Sequence, residues 1–111
     1  MPPFDFRGRR YHNPAELAQE VIGGKWKMPI LWRLKDRVWR YSELRRSLGQ
    51  VTHKMLTQQL RELEGDGLVG REVFPVVPPR VEYSITALGR TTIPIIEALR
   101  DWGALYRRRT G

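Results

Sequence analysis

The sequence of 111 residues contains no cysteine and only two histidines, His12 and His53. The absence of cysteine excludes disulfide bonds, thiolate metal ligands and redox sensing through a thiol. Because the two histidines lie far apart in the sequence and lack carboxylates at ligand spacing, we expect no metal site. No apolar run approaches the roughly 20 residues of a membrane span, and no signal peptide is evident. We therefore expect a cytoplasmic protein with no membrane partner.

The sequence also lacks recognisable catalytic motifs. The segment Gly23-Gly24-Lys25 is too short to be a Walker phosphate-binding loop. The three serines lack the sequence context of a nucleophile elbow: Ser42, Ser47 and Ser84. The residues therefore predict neither an enzyme nor a bound cofactor.

Positive charge is in excess. The 20 Lys and Arg residues outnumber the 12 Asp and Glu residues and give a formal net charge of +8. A basic chain of this length, which fits one domain with a modest core, suggests an anionic partner. Nucleic acid is the first expectation and a membrane surface the second. The basic residues are spread through predicted helices and turns, which argues against a role in solubility alone.

Residues 42–67 predict two helices joined by a tight turn. Ser42 is expected to cap the first helix, and Gly49 to end it. Thr52 is expected to cap the second helix, and Gly65 and Gly67 to stop it. The second helix has an apolar stripe at helical spacing, formed by Met55, Leu56, Leu60 and Leu63.

The other side of this second helix is rich in hydrogen-bond donors and positive charge. It carries Thr52, His53, Lys54, Thr57, Gln58 and Arg61. A supporting helix, a turn with glycine and such a second helix make up a helix-turn-helix, whose second helix enters the major groove of DNA. An ordinary amphipathic hairpin with a solvated polar face is the alternative.

The segments before residue 42 predict an arm, two helices and a strand. Residues 1–12 are expected to form an irregular basic arm. Asn13 and Pro14 predict a helix start, and a second helix is expected over residues 25–35. Residues 37–41 are rich in β-formers and predict a short strand.

A two-stranded wing is predicted over residues 68–86, directly after the second helix of the helix-turn-helix. Residues 77–80, Val-Pro-Pro-Arg, form its turn. The stiff prolines are expected to hold Arg80 outward, where it could enter a minor groove or clamp a phosphate. The alternative is that Arg80 only keeps the turn soluble.

The last helix is predicted over residues 87–108, with Thr86 as its cap and a kink at Pro94. Its apolar residues cover more than one narrow stripe, which suggests a homodimer interface formed with the first helix. Packing of all this surface within one subunit is the alternative. Residues 107–111 are expected to form a basic tail beyond a domain of residues 13–106.

Four segments stand out together: IGGKW at 22–26, YSELRRSL at 41–48, KMLTQQLRELEGDGLVGR at 54–71 and PPRVEYSITALGR at 79–90. In these the chain resembles the HxlR-type (DUF24) family of bacterial winged-helix transcription regulators, across residues 13–104. The resemblance implies a homodimer, often a repressor, that binds a two-fold operator. Many members carry a sensing cysteine just before the proline of the first helix, where this chain has Asn13.

The expected fold is mainly helical (α+β): a winged helix-turn-helix with a two-stranded wing and dimerisation helices at both ends. The expected function is a sequence-specific regulator of transcription that binds double-stranded DNA, namely a repressor that acts as a homodimer on a two-fold operator without cysteine-based sensing. The resemblance places the polar residues of the second helix and Arg80 on the DNA side. A small-molecule effector near Trp32 and Trp102 stays open. The alternatives are a winged-helix module that binds proteins without specific DNA binding, and a small RNA-binding protein.

Overall fold

The computed structural model describes residues 2–111, so Met1, the first residue of the predicted arm, lies outside the described residues. The elements in chain order are β1 (Phe4–Phe6), β2 (Arg9–Tyr11), α1 (Pro14–Ile22), α2 (Lys27–Leu34), β3 (Trp39–Arg40), α3 (Tyr41–Leu48), α4 (His53–Gly65), β4 (Val69–Phe74), β5 (Arg80–Ile85), α5 (Ala87–Arg90) and α6 (Ile93–Thr110). This is a mainly helical winged helix-turn-helix, which confirms the predicted fold class. None of the helices in residues 2–111 is long and apolar enough to cross a membrane.

The core lies where α2, α3 and α4 meet. Its completely buried side chains are all aliphatic: Ile30, Leu31, Leu34, Leu44, Leu56, Leu60 and Leu63. The three leucines of α4 in this set repeat at helical spacing, as the sequence predicts. Met55, which was expected in the same stripe, is instead 40% exposed. Its position on the helix is about a third of a turn outside the buried stripe.

The start of α1 follows from its capping residues. The Asn13 side-chain oxygen accepts hydrogen bonds from the amides of Ala15 at 2.8 Å and Glu16 at 3.3 Å. Pro14 occupies the first turn, where a missing amide hydrogen costs little. The predicted start at Asn13-Pro14 is confirmed.

The helix-turn-helix forms with one change at its first cap. Thr52 Oγ1 accepts from the Met55 amide at 3.1 Å, and Gly49 adopts a φ of +79°, so the predicted cap and turn are confirmed. Ser42 is not the first cap, because α3 already begins at Tyr41. The Glu43 carboxylate accepts from the Arg40 amide at 2.9 Å and thereby satisfies the helix start.

The wing is the predicted hairpin of β4 and β5, with Val69 opposite Ile85 at its base and Phe74 opposite Arg80 near its tip. The short strand β3 adds to the outer side of β5, where Trp39 pairs with Tyr83. The wing is therefore tied to the chain segment immediately before α3 by backbone hydrogen bonds.

The C-terminal region differs from the single helix predicted over residues 87–108. Two helices form, because α5 ends at Arg90 and α6 begins at Ile93. Pro94 explains the break, because it has no amide hydrogen to donate to the Arg90 carbonyl, so the hydrogen bonds of α5 do not continue into α6. Gly89 lets α5 pack closely against the start of the wing: a Cβ at this position would lie 2.1 Å from the Leu68 carbonyl oxygen.

Pro94 therefore lies in the first turn of α6 and does not kink a longer helix. The three arginines 107–109, which were expected in a tail, belong to the last turn of α6. Positive side chains at this end of a helix interact favourably with its dipole.

The irregular arm predicted for residues 1–12 is wrong for the described residues. β1 and β2 form an antiparallel hairpin whose turn residues, Arg7 and Gly8, both have positive φ, as a two-residue turn between twisted strands requires. Tyr11 is buried, and its hydroxyl donates to Glu20 of α1 at 2.7 Å. That hydrogen bond raises the pKa of Tyr11, and burial adds to the effect. At the turn, Arg7 forms an ion pair with Asp66 at the end of α4.

Candidate nucleic-acid interface

The outward face of α4 carries Lys54, Gln58 and Arg61. These three positions share the side of the helix opposite to the buried leucines, and all three side chains are exposed. Within residues 2–111, no carboxylate oxygen lies within 4.0 Å of Lys54 or Arg61. The two cations are therefore available to the phosphates of a nucleic acid.

His53 and Thr57 lie on the flank of α4 that faces the wing. The Tyr41 hydroxyl lies 2.5 Å from His53 Nδ1 and 3.5 Å from Thr57 Oγ1. The rings of Tyr41 and His53 meet edge to face, with centroids 5.4 Å apart. The first residue of α3 thus contacts the first turn of α4 and helps to fix the angle between the two helices. Thr52 lies at the same end, where its hydroxyl caps the helix.

A cleft of about 910 Å³ separates α4 from the wing. It brings together four residues that the sequence placed on the DNA side: His53, Thr57, Arg61 and Arg80. The other three lie outside this cleft: Lys54 and Gln58 belong to α4, and Thr52 caps its start. The predicted residues thus form one exposed helix face and one adjoining cleft.

Arg80 does not extend from the wing tip as expected. It begins β5, and its Nε lies 2.9 Å from Glu82 Oε2, although not in the geometry of a hydrogen bond. Its guanidinium carbon lies 4.4 Å from the centre of the Phe74 ring. Arg80 and Glu82 share a strand face, so the nearby carboxylate and aromatic ring hold the side chain against the hairpin. The outermost apolar residue of the turn is Val77, which is completely exposed.

Two further arginines line the cleft and were missed by the sequence reasoning: Arg40 and Arg71. Arg71 pairs with Tyr83 across the hairpin, so the two side chains share the face that looks toward the body of the protein. Burial raises the pKa of Tyr83, and the Arg71 charge opposes that shift. The signal that could have found Arg71 is the alternation of β4, in which positions 69, 71 and 73 share one side.

A hydrogen-bonded network connects the outward face of α4 to the interior. Lys27 of α2 is buried, and its Nζ donates to Glu62 Oε1 at 2.7 Å. Gln58 Nε2 donates to Glu62 Oε2 at 2.8 Å. The hydrogen bond from Lys27 and then that from Gln58 hold the pKa of Glu62 below its ordinary value. Each carboxylate oxygen of Glu62 therefore has its own hydrogen-bond donor.

The chemistry of this surface is that of binding. No group of three or more His, Asp or Glu side chains suited to a metal ion occurs in the part of the chain that the structure describes. The exposed groups include cations, an amide and hydroxyls, which are groups that contact phosphates and base edges, and one carboxylate, that of Glu64, in the cleft.

Comparison with known proteins gives consistent matches. Residues 21–110 match the model of the HxlR-like helix-turn-helix family. An HTH-type transcriptional regulator of Methanothermobacter thermautotrophicus is 49% identical over 102 residues, which is 92% of this chain and 78% of that protein. The HTH-type transcriptional regulator YdeP of Bacillus subtilis is 49% identical over 96 residues, covering 86% of this chain and 75% of that protein.

A solved structure supports the same assignment. The redox regulator HypR in its reduced form superposes with a TM-score of 0.81 at 48% identity, covering 86% of this chain and 94% of that chain. At this identity the likeness extends beyond the fold to the family.

Replacing Glu62 with glutamine tests the buried end of the network. Glu62→Gln should lower the free energy of unfolding near neutral pH by about 1 kcal/mol, since an amide still accepts from Lys27 but without the charge attraction. Because the folded-state pKa of Glu62 is depressed, the wild-type advantage is fully present above the unfolded value of 4.5. It is lost as pH falls through the folded-state pKa.

The measurement is urea unfolding of both proteins at a series of pH values from about 7 to about 3. Glu64→Gln serves as the control, because it removes the same charge from the same helix without disturbing Lys27. A wild-type advantage over Glu62→Gln that stays constant across the whole range would contradict the assignment.

Proposed function

The chain belongs to the HxlR-like helix-turn-helix family and is a DNA-binding regulator of transcription, and we propose that it acts as a homodimeric repressor on a two-fold operator. The observation that supports sequence-specific binding best is the outward face of α4, where the exposed side chain of Gln58 lies between those of Lys54 and Arg61. A buried leucine stripe behind that face holds it toward solvent. This is the arrangement that a recognition helix needs in a major groove.

Within this proposal some residues recognise bases and others contact phosphates. Gln58 and Thr57 reach base edges, as amide and hydroxyl side chains do. Lys54 and Arg61 contact phosphates, while Thr52 and His53, at the start of α4, lie closest to the backbone of the bound strand. Neighbouring positions of one helix then supply both the phosphate contacts that position the protein and the contacts with base edges that give specificity.

The wing contributes arginines from both of its faces. Arg71 already lies in the cleft beside α4, where it can meet a phosphate without rearrangement. Arg80 would have to leave the Phe74 ring and Glu82 to reach DNA, so its contact requires a change of side-chain conformation. We propose both as DNA contacts, with Arg71 preformed and Arg80 recruited on binding.

The homodimer is proposed from the surface of α6. Ile96 is the buried residue of this helix, whereas Leu99, Trp102 and Tyr106 are each at least half exposed. The Trp102 and Tyr106 rings stack with centroids 5.2 Å apart, which gives the stripe a rigid aromatic end. An apolar stripe of this length on a small chain indicates a surface that a partner covers.

A groove beside α6 offers the complementary surface. It encloses about 330 Å³ between the N-terminal hairpin, α1 and the start of α6, and its lining includes Leu17, Val21 and Ile95. A two-fold axis that pairs α6 and α1 of two copies would make the contact self-complementary. Two recognition helices about 34–36 Å apart would then meet successive major grooves of one operator.

The signal that this regulator senses is proposed not to involve a thiol. HypR is described as a redox regulator, whereas this chain has no cysteine to oxidise. The place where the family resemblance expects a sensing cysteine holds Asn13, whose side chain caps α1. Trp32, which the sequence offered as an effector site, has its ring covered by Lys35 and Arg100 at 4.5 and 4.2 Å.

Selection from a random duplex library tests the proposed function. The purified protein should enrich a two-fold motif with half-sites about one helical turn apart. It should bind the motif roughly 10³-fold more tightly than a scrambled duplex at physiological salt. If no motif is enriched and binding disappears as salt rises, only a basic surface remains, and the hypothesis of a protein-interaction module is favoured.

Lys54→Ala tests the phosphate contacts. The variant should bind the selected motif and the scrambled duplex more weakly by the same factor, because a phosphate contact carries no base information. The slope of log K against log salt should become shallower by about 1. Lys35→Ala, which removes the same charge at the end of α2, is the control. An unchanged slope for Lys54→Ala would remove Lys54 from the phosphate contacts.

Trp102→Glu tests the dimer. Trp102 is 61% exposed, so a single subunit should tolerate the change, whereas a covered apolar interface should not tolerate a buried charge. Sedimentation velocity should show a dimer for the wild type and a monomer for the variant. Val76→Glu, at an exposed apolar position on the wing, should remain dimeric. A wild-type protein that sediments as a monomer at micromolar concentration would refute the proposal.

A further inference from the structure

We propose that Glu62 determines which base Gln58 reads, because it holds the Gln58 amide in the orientation that matches adenine and cannot match guanine. This inference rests on the proposed function, since it requires α4 to lie in a major groove. It assigns a specificity role to a side chain that itself need not touch DNA.

Both oxygens of Glu62 are committed. Oε1 accepts from the Lys27 ammonium at 2.7 Å, and Oε2 accepts from Gln58 Nε2 at 2.8 Å. The Lys27 side chain is only 8% exposed, whereas that of Glu62 is 42% exposed. Glu62 therefore spans from the interior to the surface, and rotation away from this position would leave a buried ammonium without its carboxylate.

The chemistry of the carboxylate fixes the direction of the second hydrogen bond. An ionised carboxylate only accepts, so the Gln58 amide must turn its NH₂ group toward Glu62. The Lys27 and Gln58 contacts also lower the pKa of Glu62, so it stays ionised at neutral pH. The Gln58 amide is therefore held in one orientation, whereas the amide of an exposed glutamine without such a partner can turn freely.

What remains for DNA is one N–H donor and the carbonyl oxygen of Gln58. Adenine offers one acceptor, N7, and one donor, the N6 amino group, on its major-groove edge. Guanine offers two acceptors, N7 and O6, and so needs two donors from the side chain. With one N–H already given to Glu62, Gln58 can pair fully with adenine but not with guanine.

Glu62→Gln should reverse this preference. The ammonium of Lys27 only donates, so it selects the carbonyl oxygen of the new amide and leaves the NH₂ group facing Gln58. Gln58 must then accept, which turns its own NH₂ group outward with both donors free. Exchange of one oxygen for a nitrogen thus converts the outward pattern from one donor and one acceptor to two donors.

The experiment compares the wild type with Gln58→Ala, Glu62→Gln and Glu64→Gln. Motifs selected from random duplexes identify the position that Gln58→Ala relaxes, and affinities are then measured with each of the four base pairs at that position. The wild type should prefer A·T by about 5- to 150-fold. Glu62→Gln should prefer G·C at that position and retain the wild-type preference elsewhere.

Glu64→Gln is the matched control, because it removes the same charge from the other flank of α4. It should change affinity for all sequences alike and keep the preference for A·T. Circular dichroism and the thermal transition show whether each variant is folded.

Several outcomes separate this inference from the proposed function. A wild-type motif in which Gln58→Ala relaxes a G·C position, or no position, overturns the inference and leaves the regulator standing, whether or not Glu62→Gln folds. A folded Glu62→Gln variant that keeps the preference for A·T also overturns it. If the wild type enriches no motif, the proposed function itself fails, and the role of Glu62 fails with it.

Discussion

Burial of Leu56, Leu60 and Leu63 sets the rotation of α4 about its own axis. Each of these side chains is at most 1% exposed, and burial of a leucine is worth about 1.5–3 kcal/mol. A rotation by one residue position would bring charged or polar side chains into the core and would cost several such contributions. The outward positions of Lys54, Gln58 and Arg61 are thus a consequence of packing, and the binding surface inherits its rigidity from the core.

Among the buried side chains between α2 and α4 lies that of a charged residue, Lys27. A buried ammonium is costly unless a carboxylate reaches it, and Glu62 does so from the edge of the helix. The core therefore determines not only which face of α4 points outward but also the conformation of a side chain on that face. Lys27, Glu62 and Gln58 therefore connect the stability of the core with the proposed recognition of DNA, so a substitution made to alter one of these properties also affects the other.

Sequence reasoning succeeded where the deciding contact is local. The cap at Asn13, the cap at Thr52 and the turn at Gly49 depend on residues within a few positions, and all three formed as predicted. It failed where the partner is distant in the chain. The buried partner of Glu62, Lys27, is 35 residues away, and the close packing of α5 depends on how Gly89 meets Leu68. Periodicity also did not show that Arg80 would fold back onto Phe74.

The cap of α1 occupies the position where the family resemblance expects a reactive thiol. The resemblance to the family places a cysteine in many members at the position of Asn13, and a thiol is a far weaker cap than a carboxamide oxygen. A helix start that is fixed by two backbone hydrogen bonds and a thiol that is free to react are alternatives for a single residue. One substitution between cysteine and asparagine at this position would therefore exchange a reactive group for a helix cap, and would change the stability of α1 together with the redox chemistry.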